Sequence, residues 1–333
     1  MSTISDVAKR AGVSTMTVSR VVNHSGYISQ ETQERVEKAI AELGYVPNAL
    51  ARSLRFKKTK TIALVVSDIT NPLFTTIARG VEDAASENGF SVIYCNTDES
   101  PHEESEYLYT LLAKQVDGIL LVPARSSRES ITFLQERKEP VVVLDRRVSG
   151  VKVDTVRCDS IDGAYQLTRH LLDLGHRRIA VISGPAEAST AADRVAGYRQ
   201  ALDEAGVEID PQLICFGQFV QASGYQMVQQ VLSVTPRPTA IFAANNFISI
   251  GAYHALRDAG LRIPEDVSLV TFDDLPASLV LEPFLTVADQ PAYDMGHKGT
   301  ELLLARLAGE GPSDPQDIIL PVRIIVRKSS RKL

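Results

Sequence analysis

From Thr61 onward the chain alternates short apolar, mostly β-branched runs with amphipathic stretches long enough to cross back over a sheet. The runs are Ile62–Val66, Ser91–Tyr94, Gly118–Val122, Val141–Leu144, Ile179–Ile182, Ala240–Ala243 and Val267–Val270. Strands separated by helices of crossover length are βαβ units, which build parallel sheets covered on both faces. So many units exceed one comfortable sheet, so the spacing predicts two doubly wound parallel-sheet lobes facing a cleft. Ligands of such sheets bind beyond the carboxyl ends of the strands.

That rule directs attention to the residues that follow each run. Asn71 and Phe74 follow the first, Asp145 and Arg146 the fourth, Asn245 and Asn246 follow Ala240–Ala243, and Asp273 and Asp274 follow the last. Carboxylates accept from hydroxyls, a guanidinium donates a rigid fork, and a phenyl ring covers an apolar sugar face, so this set suits a small polyol. Each residue taken singly can equally be a loop residue capping the next helix. Asp145 with Arg146, or Asp273 with Asp274, could in principle do acid–base work. No nucleophile, metal cluster or phosphate loop accompanies them, and the expectation is a protein that is not an enzyme. The glycines at 175, 184 and 197 do not form a Gly-x-Gly-x-x-Gly turn, and Gly-x-Ser-x-Gly is absent.

The chain has 333 residues, room for two or three domains. It carries 35 Lys/Arg and 41 Asp/Glu, a net charge of −6. Residues 1–60 hold ten of those cations and only five of the anions, so a basic head sits on an acidic body. Such asymmetry suggests that the head meets an anion. No long apolar run argues for a membrane span, and Asp6, Lys9 and Arg10 stand where a secretory segment would be apolar. A cytoplasmic protein is expected. Cys95, Cys158 and Cys215 are far apart, so reduced buried thiols are expected and neither a disulfide framework, a metal site nor a cofactor is indicated.

Within the head, Ile4, Val7, Ala8 and Ala11 keep the spacing of one helix face, with Thr3 placed to cap it and Gly12 to end it. Ser14 can cap a second helix in which Val18, Val21 and Val22 share a face. Two short helices joined by a tight turn are the helix-turn-helix pattern, whose second helix presents its first side chains to base edges in the major groove. Thr15, Met16 and Arg20 are candidates for base readout, with Thr17 and Asn23 for phosphate or bases. An ordinary helical hairpin with a solvated polar face has the same spacing. A third helix, about Gln30–Leu43, is expected to be capped by Ser29 and stopped by Gly44. Beyond it, Asn48 can cap a helix of about seven residues displaying Leu50 and Leu54, too short to persist alone in water. Lys57, Lys58 and Lys60 follow, placed to meet phosphate.

The run Thr3-Ile-Ser-Asp-Val-Ala-Lys-Arg-Ala-Gly-Val-Ser-Thr-Met-Thr-Val-Ser-Arg-Val-Val-Asn23, followed by Gly44-Tyr-Val-Pro-Asn-Ala-Leu-Ala-Arg-Ser-Leu54, resembles the LacI/GalR family of bacterial transcription regulators. Resemblance continues through Ser67–Phe74, Asp193–Tyr198, Phe272–Asp274 and Leu285–Pro291 to the family's regulatory domain, itself similar to periplasmic ribose-type binding proteins. It implies a helix-turn-helix domain at 1–47, a hinge helix and linker at 48–60, and an effector-binding and dimerisation domain at 61–333. The N-lobe would take about 61–159 and 291–318, the C-lobe about 160–290 and 319–328.

The same resemblance implies a homodimer on a pseudo-palindromic double-stranded DNA operator, with paired hinge helices in the minor groove. Leu54 matches the wedge that inserts between base pairs, Ala51 and Arg52 match hinge contacts, and Asn48 is counted with them as DNA-binding. An apolar wedge offsets unstacking by giving the bent duplex more protein to touch. Asn71, Phe74, Asp145, Arg146, Arg194, Asn245, Asp273 and Gln290 match effector-contacting positions, and Phe219 matches a second stacking ring. A small-molecule effector is implied, a ribose-like pentose first, and the regulator would be a repressor of sugar metabolism genes. Asn246 in place of the family's Asp, and Pro123 in place of a polar side chain, keep a hexose, a nucleoside or a ligand unrelated to sugars open, and the resemblance separately implies a phosphoprotein effector as an alternative. A solute-binding transport protein with the same lobes would need a signal peptide and no DNA-binding head. His176 between a helix and a strand reads as a structural hydrogen-bonding group, and the terminal Arg327–Lys332 run as a frayed, solvated end.

Overall fold

The computed structural model describes residues 2–23, 25–46, 59–126, 128–275 and 283–333. The chain divides into two compact units, Met1–Thr59 and Lys60–Leu333.

In the first unit α1 (Ile4–Ala11), α2 (Thr15–Val22) and α3 (Gln30–Leu43) enclose a small core of Val7, Ala11, Val18, Val21, Val36 and Ala39. Each helix starts where the side chains allow it. Thr3 Oγ1 accepts from Asp6 N while the Asp6 carboxylate accepts from Thr3 N, a reciprocal capping box. Gly12 ends α1 at φ +66, a left-handed turn that a Cβ would penalise. Ser14 Oγ accepts from Thr17 N at the start of α2. Ser29 occupies the capping position of α3 but accepts no backbone N–H; its hydroxyl donates to Thr32 Oγ1 instead.

The second unit holds two six-stranded sheets. In chain order the N-lobe contributes β1 (Thr61–Val66), α4 (Pro72–Glu87), β2 (Ser91–Asn96), α5 (Pro101–Ala113), β3 (Gly118–Leu121), α6 (Glu129–Glu136), β4 (Val141–Leu144) and β5 (Asp154–Cys158). The C-lobe follows with α7 (Ser160–Asp173), β6 (Ile179–Ser183), α8 (Ser189–Glu204), β7 (Ile214–Phe216), α9 (Gln221–Leu232), β8 (Ala240–Ala243), α10 (Asn246–Asp258), β9 (Ser268–Phe272) and β10 (Thr286–Asp289). Then α11 (Ala292–Ala308) and β11 (Asp317–Leu320) return to the N-lobe, and β12 (Arg323–Ile325) ends in the C-lobe. Strand orders are β11-β5-β4-β3-β1-β2 and β12-β10-β9-β8-β6-β7. The chain therefore passes between lobes three times, after β5, β10 and β11.

Two expectations need correction here. The sequence of Ile318–Val326 reads as one last strand, but it forms two strands in different sheets. Pro321 cannot donate to a ladder, and the chain changes lobe there: β11 pairs parallel with β5, whereas β12 pairs antiparallel with β10. The lobe boundary near 318 accordingly falls past Leu320, and the second sheet is not wholly parallel. The basic terminus is not a solvated fray. Ser329 is fully buried, its N–H donates to Phe284 O, its carbonyl accepts from Leu269 N, and its hydroxyl accepts from Thr286 N. Leu333 N donates to Leu174 O. His176 has the structural role expected of it: Nδ1 meets Thr239 Oγ1 at 2.9 Å and Nε2 lies 3.1 Å from both Ser268 Oγ and Arg331 O.

All three cysteines are free and buried. Among the described residues no helix is long and apolar enough to cross a membrane.

Candidate functional site

The two lobes enclose a cavity of about 270 Å³ at the carboxyl ends of their strands. This is just below the usual range of ligand pockets, roughly 300–1,000 Å³. Its wall includes Asn71, Phe74, Asp145, Arg146, Arg194, Phe219, Asn245 and Asp273, eight residues singled out from the sequence. Gln290 is not on that wall. It lies buried behind Asp273, donating through Nε2 to Asp273 Oδ1, so its place is to hold a wall carboxylate.

Strand-to-helix turns set the geometry. Asn71 caps α4 by accepting from Leu73 N, and Asn245 caps α10 by accepting from Phe247 N and Ile248 N. Both thus perform the capping role that the sequence left open, with their amide N–H groups turned elsewhere. Asp145 and Asp273 occupy matching positions after β4 and β9, at φ +64 and +70. Aspartate tolerates this left-handed region better than most residues. Gly184 after β6 makes room for Phe219: a Cβ there would lie 2.3 Å from the ring.

Charge inside the cavity is unevenly satisfied. Both terminal nitrogens of Arg146 are bound to Glu99, and Nη1 also to Pro123 O, which leaves Nε without a hydrogen-bond partner. Burial works against the charge of Glu99, but the Arg146 ion pair outweighs it and holds the carboxyl below its usual range. Removing either member of such a pair costs about 3–5 kcal/mol, because the other stays buried and charged. Arg194 donates through Nη1 to Ala244 O, sits 3.6 Å from Asp273 Oδ2, and lies 3.9 Å over the Phe272 ring; its Nε is also unpartnered. Burial raises the Asp145 pKa to about 6, against the pull of Arg146 and Arg194, and its Oδ1 has no partner. Ser67 Oγ and Gln290 Oε1 are likewise buried without a partner, so unmet hydrogen-bonding capacity is concentrated around this cavity.

Sequence reasoning missed several participants. Glu99 follows β2 and would have been found by applying the strand-end rule to every strand. Asn246 was noted as a departure but left out of the site. Its amide exchanges two hydrogen bonds with that of Asn71 across the cleft, at 3.1 and 3.0 Å. Arg147 reaches Asp193 on α8 through a two-point ion pair, and Ser126 meets Ser189 at 3.1 Å. These contacts join the lobes directly.

In the first unit Thr15, Met16 and Arg20 are exposed on α2, Met16 at 64%. Thr17 is half-buried, its hydroxyl 3.0 Å from Ser14 Oγ. Asn23 is committed to the end of α2, donating to Ser19 O at 2.7 Å. Asn48, Ala51, Arg52 and Leu54 lie outside the described residues.

A helix-turn-helix unit in the same chain as a two-lobed body with a polar cleft is the build of a ligand-responsive DNA-binding regulator. Family models agree with it. Residues 3–48 match the model for "Bacterial regulatory proteins, lacI family", and residues 59–328 match "Periplasmic binding proteins and sugar binding domain of LacI family". The chain belongs to the LacI family and is a transcription regulator with a DNA-binding helix-turn-helix and an effector-binding body. It is 36% identical over 336 residues to the transcriptional repressor PurR of Haemophilus influenzae, covering all of both chains. It is 36% identical to the transcriptional regulator CelR in its cellobiose complex, with a TM-score of 0.76 over 99% of this chain and 100% of that one. The lac repressor dimer bound to operator and the anti-inducer ONPF is 29% identical, with a TM-score of 0.88 over 99% of each chain.

Proposed function

We propose that the protein is a dimeric repressor whose operator affinity is set by a small polyhydroxylated effector held in the interlobe cavity, a ribose-like sugar first and a nucleoside as the alternative. The observation that carries this reading is the interlobe cavity, whose wall brings Asp145, Arg146, Arg194 and Asn245 together with Phe74 and Phe219. Donors and acceptors spread round a polyol match such a wall, while the rings suit its apolar face. Cellobiose bound to a relative supports a carbohydrate. Operator recognition is assigned to α2, with Arg20 reading a guanine and Met16 packing on a thymine methyl. The lac repressor's dimer on operator supports two copies reading two half-sites. An effector acts by preferring one lobe arrangement, which shifts the population of the state that grips DNA.

Selection of binding sites from a random duplex pool by the full chain, followed by fluorescence anisotropy with and without sugars and nucleosides, tests this reading. A pseudo-palindrome bound at least a hundredfold above random competitor, with affinity changed by one effector, is expected. Failure to prefer any duplex, with or without effectors, overturns it.

A further inference from the structure

The turns that carry the cavity wall also carry contacts made from lobe to lobe. Three neighbouring pairs of residues divide the two tasks. Arg146, Thr190 and Arg194 line the cavity, while Arg147, Ser189 and Asp193 beside them bond across the cleft. Arg147 of the N-lobe grips Asp193 on α8 through Nε at 3.1 Å and Nη2 at 2.6 Å, and its backbone N–H donates to Ser189 Oγ at 3.0 Å. The Ser189 N–H in turn donates to Ser126 Oγ of the N-lobe at 2.9 Å. Ser189 and Asp193 stand four residues apart on one helix face. The first turn of α8 is thus clasped by the loops that follow β3 and β4.

Two features set this clasp apart from incidental contact. Helix α8 starts after Ala188, whose side chain cannot cap it. The acceptor for its first N–H comes instead from Ser126 in the opposite lobe, so separating the lobes uncaps the helix. The loop that supplies Ser126 is also strained, with Arg125 and Ser126 both left-handed at φ +53 and +55. Buried Glu104 anchors that loop by accepting from Ala124 N and Ser130 Oγ. The Asp193 side chain is 8% exposed, and the cation that pairs with it comes from the other lobe. Every one of these bonds is made by the chain itself.

Resting on the reading that an effector occupies the interlobe cavity, we infer that Arg147, Asp193, Ser126 and Ser189 form a clasp that favours closed lobes independently of the effector. The clasp then sets how much of the protein stands ready to bind. An effector that touches both lobes favours the same closed arrangement. Weakening the clasp therefore lowers effector affinity in proportion to the closed fraction, and moves operator affinity in the direction opposite to the effector's own action. That sign holds whether the effector releases DNA or strengthens the grip on it.

Nitroxide labels at Glu103→Cys on α5 and Ala222→Cys on α9 test the clasp by pulsed EPR on the full chain, diluted into unlabelled chain so that a dimer carries one labelled copy. Both positions are exposed, and each lies in the first turn of a helix that follows the outermost strand of its sheet. Without any added ligand, wild type should show a short-distance population. Arg147→Ala strands a buried carboxylate and should lower the closed-to-open ratio about tenfold, less than for a fully buried pair because Arg147 is half exposed. Ser126→Ala should lower it about fivefold, the worth of a helix cap. Arg147→Ala combined with Asp193→Ala leaves no stranded charge and should be milder than Arg147→Ala alone. A short-distance population absent from wild type, or unchanged by Arg147→Ala, overturns the inference, as does a double variant at least as open as the single one.

Operator anisotropy on the same variants gives the second arm. Lobes that separate in Arg147→Ala while operator affinity stays at the wild-type value overturn the regulatory role of the clasp. If no sugar or nucleoside binds the wild type, the effector reading falls, and the label distances still decide whether the clasp closes the lobes.

Discussion

Asn71 and Asn246 give the sharpest quantitative expectation. Their amides are 3% and 0% exposed and exchange two hydrogen bonds across the cleft, so each supplies the other's only side-chain acceptor for an N–H. Truncating Asn246 to Ala leaves Asn71 Nδ2 buried without an acceptor. Asn71 Oδ1 still accepts from Leu73 N, and Phe247 N still has Asn245 Oδ1, so one orphaned donor is the main loss. Such a donor costs about 1–3 kcal/mol. Asn71→Ala costs about that plus a helix cap of roughly 1 kcal/mol. The double substitution removes both partners together and should be less costly than the sum by about 1–2 kcal/mol, the coupling energy of a shared network. Asn246→Asp retains an acceptor for Asn71 Nδ2 but no donor for its oxygen, and should fall between wild type and Asn246→Ala. Urea unfolding of the four proteins, followed through the transition of the larger unit, measures the cycle. A coupling below about 0.5 kcal/mol would refute the claim that this pair ties the lobes together.

Three further outcomes follow from other parts of the structure. A hydroxylated ligand that donates to ionised Asp145 loses its acceptor as the group takes up a proton. With a free-state pKa of about 6, affinity at pH 5 should be roughly tenfold weaker than at pH 7, and titration calorimetry showing equal affinity would remove Asp145 from the contact. Gly184→Ala places a Cβ 2.3 Å from the Phe219 ring and must expel it from the wall, so ligand-induced stabilisation should vanish while the chain still folds, less stable by about 1–3 kcal/mol; an unchanged thermal shift would show the ring is not needed. Ser329→Ala removes the hydroxyl that accepts from the buried Thr286 N, and a loss of about 1–3 kcal/mol in urea unfolding is expected; no loss would return the terminus to solvent.

The architecture was legible because its strands are nearly continuous apolar runs, and the seven read from the sequence coincide with observed strands to within one or two residues. Three that were missed, β5, β7 and the four-residue β10, lack that signal, and β11 and β12 were read as one strand. Strand β5, Asp154–Cys158, carries an Asp and an Arg, β7 is three residues long, and β11 and β12 are edge strands with exposed charges. The candidate site was legible for a different reason: α/β sheets converge their strand ends, so a rule about position finds the wall without any knowledge of distances. It could not find pairings. That Arg146 is consumed by Glu99, that Asn246 meets Asn71, and that Gln290 stands behind Asp273 depend on how two lobes close, which no periodicity records. The basic terminus misled for a related reason, since its charge pattern reads as solvated while Ser329 and the backbone do the docking.

Because the polypeptide threads from one sheet to the other three times, neither half of the body is a contiguous stretch of sequence. Cutting the gene anywhere between Asp159 and Pro321 strands elements of one half on the wrong piece, so no simple truncation yields a single folded half. Thermal unfolding of the body should then be one cooperative event, and a ligand that grips both halves would raise the melting of the pair as a whole. Three crossings also restrain how the halves move, since any relative rotation has to be absorbed at Asp159, at Gln290–Pro291 and at Pro321 together.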